Sequence, residues 1–311
     1  MPTDDPSRGL WAYFSIDIAG STLLKIKDAQ WYDPILRFLQ MTPREMRAGW
    51  PGGRAEFNRK FARGKPGLRL ASDAPQPERW KLLGDEVVFV QEFTENRPVE
   101  FLYSVHAFIR VLLGMRRYLR ESFRGTSMPL KGTVWLANKA RNLGPNLGMP
   151  SGEKEYLGPG VDVGFRIKPY ATDKKIALSI EAAYLLALGL KAVGDESALK
   201  FMNFGRLRPS RVLIPVIYLE GDILPGIFDG DNPAPYPEIL LRILPSSDRS
   251  KHRRLVNRRL PVTATDLKEV CEEWMDRHAE RVFRPFHPED PTKSVQTFLD
   301  SLRPQANPYR F

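Results

Sequence analysis

The hydrophobic pattern of the chain alternates between short apolar runs of strand length and longer stretches with helical spacing. LWAYFSIDI (Leu10 to Ile18) is an apolar and aromatic run broken only by Ser15 and Asp17, and it predicts a buried strand. Gly20, Ser21 and Thr22 then supply turn and capping residues, and Trp31, Ile35, Leu36 and Leu39 recur at helical spacing. Residues Arg44 to Ala74, rich in Gly, Pro and Arg with weak periodicity, are expected to form an inserted basic loop or short irregular elements. Trp80 to Leu83 and Val87 to Val90 flank Gly84-Asp85, a hairpin signal that puts Asp85 at a tight turn. Phe101, Val105, Phe108, Ile109, Leu112 and Leu113 predict a long amphipathic helix over Val99 to Ser122.

LKGTVWL (Leu130 to Leu136) reads as a further strand, followed by a Gly- and Asn-rich excursion over Asn138 to Glu153. Val161 to Ile167 opens a helix with Asp162 and Arg166 on one face, four residues apart. Lys175 to Ser179 is expected to be a short strand, Ile180 to Leu188 a helix and Val212 to Leu219 another strand. This succession suits an α/β or α+β sandwich, with α+β favoured and helices on one face of a sheet. Prolines 225, 233, 235, 237, 245 and 261 mark a change of composition, so residues 1–222 are expected to form the main domain and 223–311 an extension. Within that extension Thr265 can cap a helix whose stripe is Leu267, Val270, Cys271, Trp274, Met275, His278 and Val282.

Bulk properties narrow the setting. A single cysteine, Cys271, excludes an internal disulfide and a cysteine-clustered zinc site, and the predicted location is cytoplasmic. No secretory signal and no run of eighteen apolar residues is apparent, so no membrane partner is expected. The formal charge of +10 would suit a polyanion, but basic residues are spread along the chain. A solvated surface or attraction for a phosphorylated small substrate is the expected reading, with no stable nucleic-acid partner. The four histidines share no ligand spacing and are expected to pack or face solvent.

Chemistry enters with two carboxylates in unusual settings. Asp17 lies near the end of a strand otherwise apolar, and Asp85 lies at a hairpin tip. If the two strands are neighbours, the carboxylates meet, and like charges at close range persist comfortably when cations sit between them. Oxygen ligands of this kind suit Mg2+, and two such ions would activate a hydroxyl and neutralise a pyrophosphate leaving group. A palm-type nucleotidyl transfer site and a catalytically dead nucleotide or nucleic-acid binding module are alternatives that use the same residues.

Four stretches in order, FSIDIAGST, KLLGDEVVF, LKGTVWL and YLGPGVDVGFR, resemble the class III adenylate and guanylate cyclases across about residues 10–222. The resemblance implies that Asp17 and Asp85, with the carbonyl of Ile18, hold two Mg2+ or Mn2+ ions per site. It places Lys81 and Glu155 on the substrate base, Asp162 toward the ribose and Arg166 on the transferring phosphate. Two positions depart from the family pattern, which has asparagine where Asp162 stands and aspartate where Glu155 stands. The extra methylene of Glu155 would favour a smaller base, since uracil offers an acceptor to Lys81 and a ring donor to Glu155. The pattern is similar to the bacterial pyrimidine cyclases of antiphage defence. It implies a homodimer with composite sites that converts UTP to cyclic UMP, with cytidylate and adenylate cyclase as alternatives.

Overall fold

The computed structural model describes residues 9–27, 29–61, 70, 75–93, 97–123, 128–139, 142, 144, 154–171, 176–193 and 264–277. The expected strand over Val212 to Leu219 and the boundary at 222/223 lie outside the described residues, as does most of the excursion over Asn138 to Glu153. Strand β1 (Leu10–Ile18) is followed by helices α1 (Ser21–Lys27) and α2 (Tyr32–Phe61). The hairpin β2 (Glu78–Leu83) and β3 (Glu86–Phe93) leads to α3 (Pro98–Ser122) and β4 (Leu130–Asn138). Helix α4 (Pro159–Ile167), a 3-10 turn (Lys168–Tyr170), β5 (Ile176–Leu178), α5 (Ile180–Val193) and α6 (Ala264–Arg277) complete the described elements.

The strands form one sheet in the order β2-β3-β1-β4-β5, antiparallel except for the β4/β5 pair. The first four follow the split β-α-β arrangement of ferredoxin-like sheets, with β1 at the centre. The expected α+β class is therefore observed. Because β1 is paired on both edges and covered on both faces, its run is apolar almost throughout. Leu10, Ala12, Phe14, Ile16 and Ile18 point into a core shared with α2, α3 and α5, while Trp11 and Tyr13 join the opposite face.

That opposite face carries an aromatic layer. Tyr13 stacks on Trp135 with ring centroids 5.1 Å apart, and Tyr156 and Trp80 close around it at 5.7 and 5.4 Å. Helix α4 lies over this layer through Val161, Val163 and Ile167, so among the described residues α2, α3 and α5 cover one side of the sheet and α4 the other, a departure from the expected placement of helices on one face. Gly164 allows the approach, since a Cβ there would stand 1.9 Å from Cε2 of Trp135. The side chain of Asn142 caps this helix from outside, accepting from the amides of Gly160 at 2.9 Å and Val161 at 3.4 Å.

Residues Arg44 to Phe61, expected to be irregular, belong to α2, a helix of 30 residues with Pro43 and Pro51 inside it. The reason is tertiary. Ile35, Phe38, Met46, Trp50 and Phe57 are buried along one stripe, and Trp50 and Phe57 pack on Tyr103 of α3 at 4.6 and 5.4 Å. An interior proline costs about 3 kcal/mol of helix propensity, and each of the five buried side chains returns about 1.5–3 kcal/mol, so packing outweighs the two breakers.

The remaining elements follow the pattern closely. Ser179 ends β5 and caps α5, its hydroxyl accepting from the Ala182 amide at 3.2 Å. Helix α3 is long and apolar enough to cross a membrane by length and composition, but its apolar side chains are buried in the core. Helix α5 is buried on nearly every side, and α6 covers the face that the sheet leaves open. Ala264, Leu267, Cys271 and Met275 of α6 lie in the same core as β1 and α3, and burial pushes the Cys271 thiol well up. Tyr184 donates to Glu272 at 3.2 Å across this contact.

Since α6 completes the α5 core, Leu267→Ala should destabilise the whole chain by about 2–5 kcal/mol, the usual range for a buried large-to-small change. Chemical denaturation followed by tryptophan fluorescence and by far-UV circular dichroism checks this. One shared, lowered midpoint is expected, whereas a change confined to a separate minor transition would show that α6 is an independent appendage.

Candidate functional site

The C-terminal end of β1 organises the site. Asp17 is its penultimate residue and stands opposite Glu86 of β3 and Lys131 of β4. Residues directly opposite in neighbouring strands share a sheet face, so all three side chains lie on the side covered by α4. Asp85 is carried in from the hairpin between β2 and β3. Gly84 takes φ +65° in that turn, a left-handed conformation that glycine adopts without strain. The Asp85 carbonyl accepts from the Ile18 amide at 3.3 Å, which ties the turn to the end of β1. The Ile18 side chain is buried in the core, leaving its main chain at the site.

Asp17 and Asp85, predicted separately, are thus brought together, and each is answered by a lysine. Lys131 Nζ lies 2.9 Å from Asp17 Oδ2, and Lys25 Nζ of α1 lies 3.2 Å from Asp85 Oδ1. The two carboxylates titrate in opposite directions. Burial raises the Asp17 carboxyl, the charges of Asp85 and Glu86 add to that, and Lys131 offsets part of it. Burial also pushes Asp85 upward, but hydrogen bonds from Ser21 and Lys25 outweigh it, and the net shift is down.

A second cluster lies on β2 one row further along the same face. Lys81 Nζ and Glu155 Oε1 form an ion pair at 2.6 Å. A register shift between Arg79 and Lys81 puts Trp80 among the aromatics of the α4 face, beside Lys81. Segment 154–157 is fastened there by several contacts. The Trp80 indole N–H donates to the Lys154 carbonyl at 3.0 Å, Lys154 pairs with Glu78 at 2.6 Å, and the Trp80 and Tyr156 rings meet at 5.1 Å. The Tyr156 hydroxyl is pushed up to about 12, first by burial and then by Glu78 and Glu92.

Asp162 and Arg166 lie one turn apart on α4 and differ in exposure. Asp162 is exposed in the first turn of α4, whereas half-buried Arg166 is in its last turn, at the end of the helix that approaches the carboxylates. Glu86, Lys25, Lys131 and Lys168 were not among the predicted site residues. Glu86 directly follows Asp85, and strict alternation from Val88 would have pointed it to the Asp17 face. The lysines lie on three elements distant in sequence, and only the pairing of strands and the position of α4 reveal them.

The donors fit divalent cations of the hard class. Among the described residues no group of three or more His, Cys, Asp or Glu side chains forms a ready metal cage. Magnesium sites on nucleotide enzymes ordinarily use one or two carboxylates and complete their shell with substrate phosphates and water. Asp17 and Asp85, each with a partly accessible side chain and an ammonium group already in contact, are the two carboxylates here that could hold such an ion.

No family model matches the chain, and no curated protein sequence matches it. Among solved structures it is similar to the adenylyl cyclase CyaB from P. aeruginosa, at 18% identity over 57% of this chain and 80% of that one, with a TM-score of 0.40. It is also similar to the guanylyl cyclase Cya2, at 14% identity, 60% and 79% coverage and a TM-score of 0.38. A third is the guanylate cyclase domain of RhGC from Catenaria anguillulae in complex with GTP, at 12% identity, 58% and 82% coverage and a TM-score of 0.36. The α+β fold itself rests on the strand order and register of this chain.

The opposed shifts of the aspartates give opposed effects on stability. A carboxyl whose folded pKa is raised contributes stability below its unfolded pKa that is lost as pH rises through the folded value. Asp17→Asn therefore should raise Tm at pH 7, with the gain shrinking toward pH 4. A lowered carboxyl contributes stability above its unfolded pKa and loses it as pH falls, so Asp85→Asn should lower Tm at pH 7 and matter less under acid conditions. Thermal denaturation in EDTA at both pH values is the measurement, and equal shifts of one sign for both variants would contradict this electrostatic picture.

Proposed function

We propose that this chain is a nucleotide cyclase of the class III type, closing a nucleoside triphosphate to its 3′,5′-cyclic monophosphate with release of pyrophosphate. The observation that carries this reading is the convergence of Asp17 and Asp85 at the end of β1, each in contact with a lysine. In the reaction the ribose 3′-oxygen bonds to the α-phosphorus as the bond from that phosphorus to the bridging oxygen of pyrophosphate breaks. Asp17, Asp85 and the Ile18 carbonyl would hold two Mg2+ or Mn2+ ions, which supply acidity at the 3′-hydroxyl and neutralise the departing phosphates. Lys25 and Lys131, once released from the carboxylates, would face triphosphate oxygens. Arg166 offers a planar fork of donors suited to the charge that builds on the transferring phosphoryl group.

The favoured substrate is UTP. Lys81 and Glu155 present an ammonium donor and a carboxylate acceptor 2.6 Å apart, matching the adjacent O4 acceptor and N3–H donor of uracil. The length of Glu155 reduces the depth left for a base and favours one ring over two. Exposed Asp162 takes the ribose contact, and a homodimer joins the aspartates of one copy to Lys81, Glu155, Asp162 and Arg166 of the other. The resemblance to pyrimidine cyclases of antiphage defence supports a cytoplasmic signalling role for the product.

Purified protein incubated with ATP, GTP, CTP or UTP and Mn2+ should yield cyclic UMP as the main product by mass spectrometry. Asp17→Ala and Asp85→Ala should each lower the rate about a thousandfold. A cyclic product from ATP alone would remove the pyrimidine assignment, and none from any of the four would remove the cyclase. Mixing inactive Asp17→Ala with inactive Arg166→Ala should restore activity, because a mixed dimer regains one intact composite site. Failure of that mixture, with subunit exchange demonstrated, would argue for a site within one chain.

A further inference from the structure

Glu86 is a carboxylate almost without solvent access, at 3% exposure, in a molecule whose other site carboxylates remain partly open. It follows Asp85 in the hairpin and stands opposite Asp17 in the β1/β3 ladder, yet it does not share their open setting. One of its oxygens accepts from the Ser15 hydroxyl, two residues before Asp17 on β1. The other is held by the Lys168 ammonium, from the 3-10 turn that directly continues α4. The Lys168 Nζ also lies 5.2 Å from the Phe165 ring, so its course is set from both sides. A buried carboxylate needs a counter-charge and hydrogen-bond donors, since removing one partner leaves a charge stranded in a low-dielectric interior. Here the donors come from β1 and from the end of α4, two elements whose relative position decides where Arg166 stands.

The two ends of α4 are held differently. The N-terminal end of α4 is capped by Asn142, and its middle rests on Trp135 through Gly164. The C-terminal turn, with Arg166 two residues before Lys168, reaches the sheet through Ile167 and through the Lys168–Glu86 contact. A contact of this type is directional, and a hydrophobic contact is not.

We propose that Lys168, Glu86 and Ser15 form a buried charged lock that fixes the C-terminal turn of α4, and with it Arg166, relative to the strand ends carrying Asp17 and Asp85. Glu86 and Lys168 are positioning residues in this scheme and need not touch substrate. The catalytic consequence rests on the cyclase reading above; the anchoring of α4 does not. In a composite dimer the offset between the α4 turn and the aspartates within each copy sets, through the two-fold axis, how Arg166 meets the other copy's phosphate site.

The test compares wild type, Glu86→Gln, Lys168→Met and the double variant Glu86→Gln/Lys168→Met in the full chain. Each single variant strands a charge and should lower Tm, whereas the double variant removes both charges and should recover most of the loss. In the recovered double variant, amides in the last turn of α4 should exchange about tenfold faster while those of β1, β3 and β4 keep their protection. With UTP and Mn2+ its kcat should fall roughly tenfold or more with KM little changed, because the phosphate-facing group is displaced without loss of substrate contacts. Unchanged exchange in α4 of the double variant, or additive losses of Tm, would overturn the lock. Faster exchange with wild-type kcat would overturn its positioning role. If wild-type protein cyclises no triphosphate, the cyclase reading falls, and the exchange and stability measurements still decide whether the lock exists.

Discussion

Three carboxylates, those of Asp17, Asp85 and Glu86, converge where β1 ends, and mutual repulsion at that point is the constraint that the surrounding structure answers. Each is met by a lysine from a different element. Lys131 comes from β4, Lys25 from α1 and Lys168 from the turn after α4. The arrangement is graded by depth. Glu86, at the bottom, is sealed by Ser15 and Lys168, whereas Asp17 and Asp85 above it hold partly exposed lysines that a cation and a triphosphate could displace. A buried ion pair adds little net stability compared with apolar packing, so its value here is in fixing geometry. The open pairs keep the upper carboxylates soluble and exchangeable.

The sheet makes this concentration of charge tolerable because it separates two kinds of surface. One face of β1 is aliphatic and aromatic and disappears into α2, α3 and α5, with α6 closing the far side of α5. The other face begins with the aromatic layer around Tyr13 and becomes polar only at its last rows, Ser15 and then Asp17. The interior tyrosine hydroxyl is raised by burial and stays protonated, so the aromatic layer adds no charge of its own. Charge therefore appears only at the end of the strand, next to a turn that glycine makes possible at Gly84.

Much of this was legible because strands announce themselves locally. The run from Leu10 to Ile18, the Gly84-Asp85 hairpin and the stripe of α3 depend on near neighbours in sequence, and their positions agree with expectation within a few residues. Helix α2 was hidden because Gly49, Pro51, Gly52 and Gly53 read as breakers, and the burial of Met46, Trp50 and Phe57 against α3 is a tertiary fact. The pairing of Lys81 with Glu155 could be guessed only through resemblance, since nothing in their spacing brings residues so far apart together. Glu86 was overlooked for a different reason. An acidic residue at a hairpin ordinarily faces solvent, and its burial follows only once β1 and α4 are both in place.

The two aspartates at this point differ in what they do to the fold. Burial and the charges of Asp85 and Glu86 make ionised Asp17 a cost to the fold, whereas hydrogen bonds from Ser21 and Lys25 make ionised Asp85 a net contributor. On the proposed reading, the cost at Asp17 is that of preorganised charge, in place before a substrate arrives. The cost is contained by building the site on a central strand locked on both edges, and by placing the flexible partners, the lysines, on the elements around it. On that reading a cation would take the place of the ammonium groups on the carboxylates, and the freed lysines would pair with phosphate oxygens.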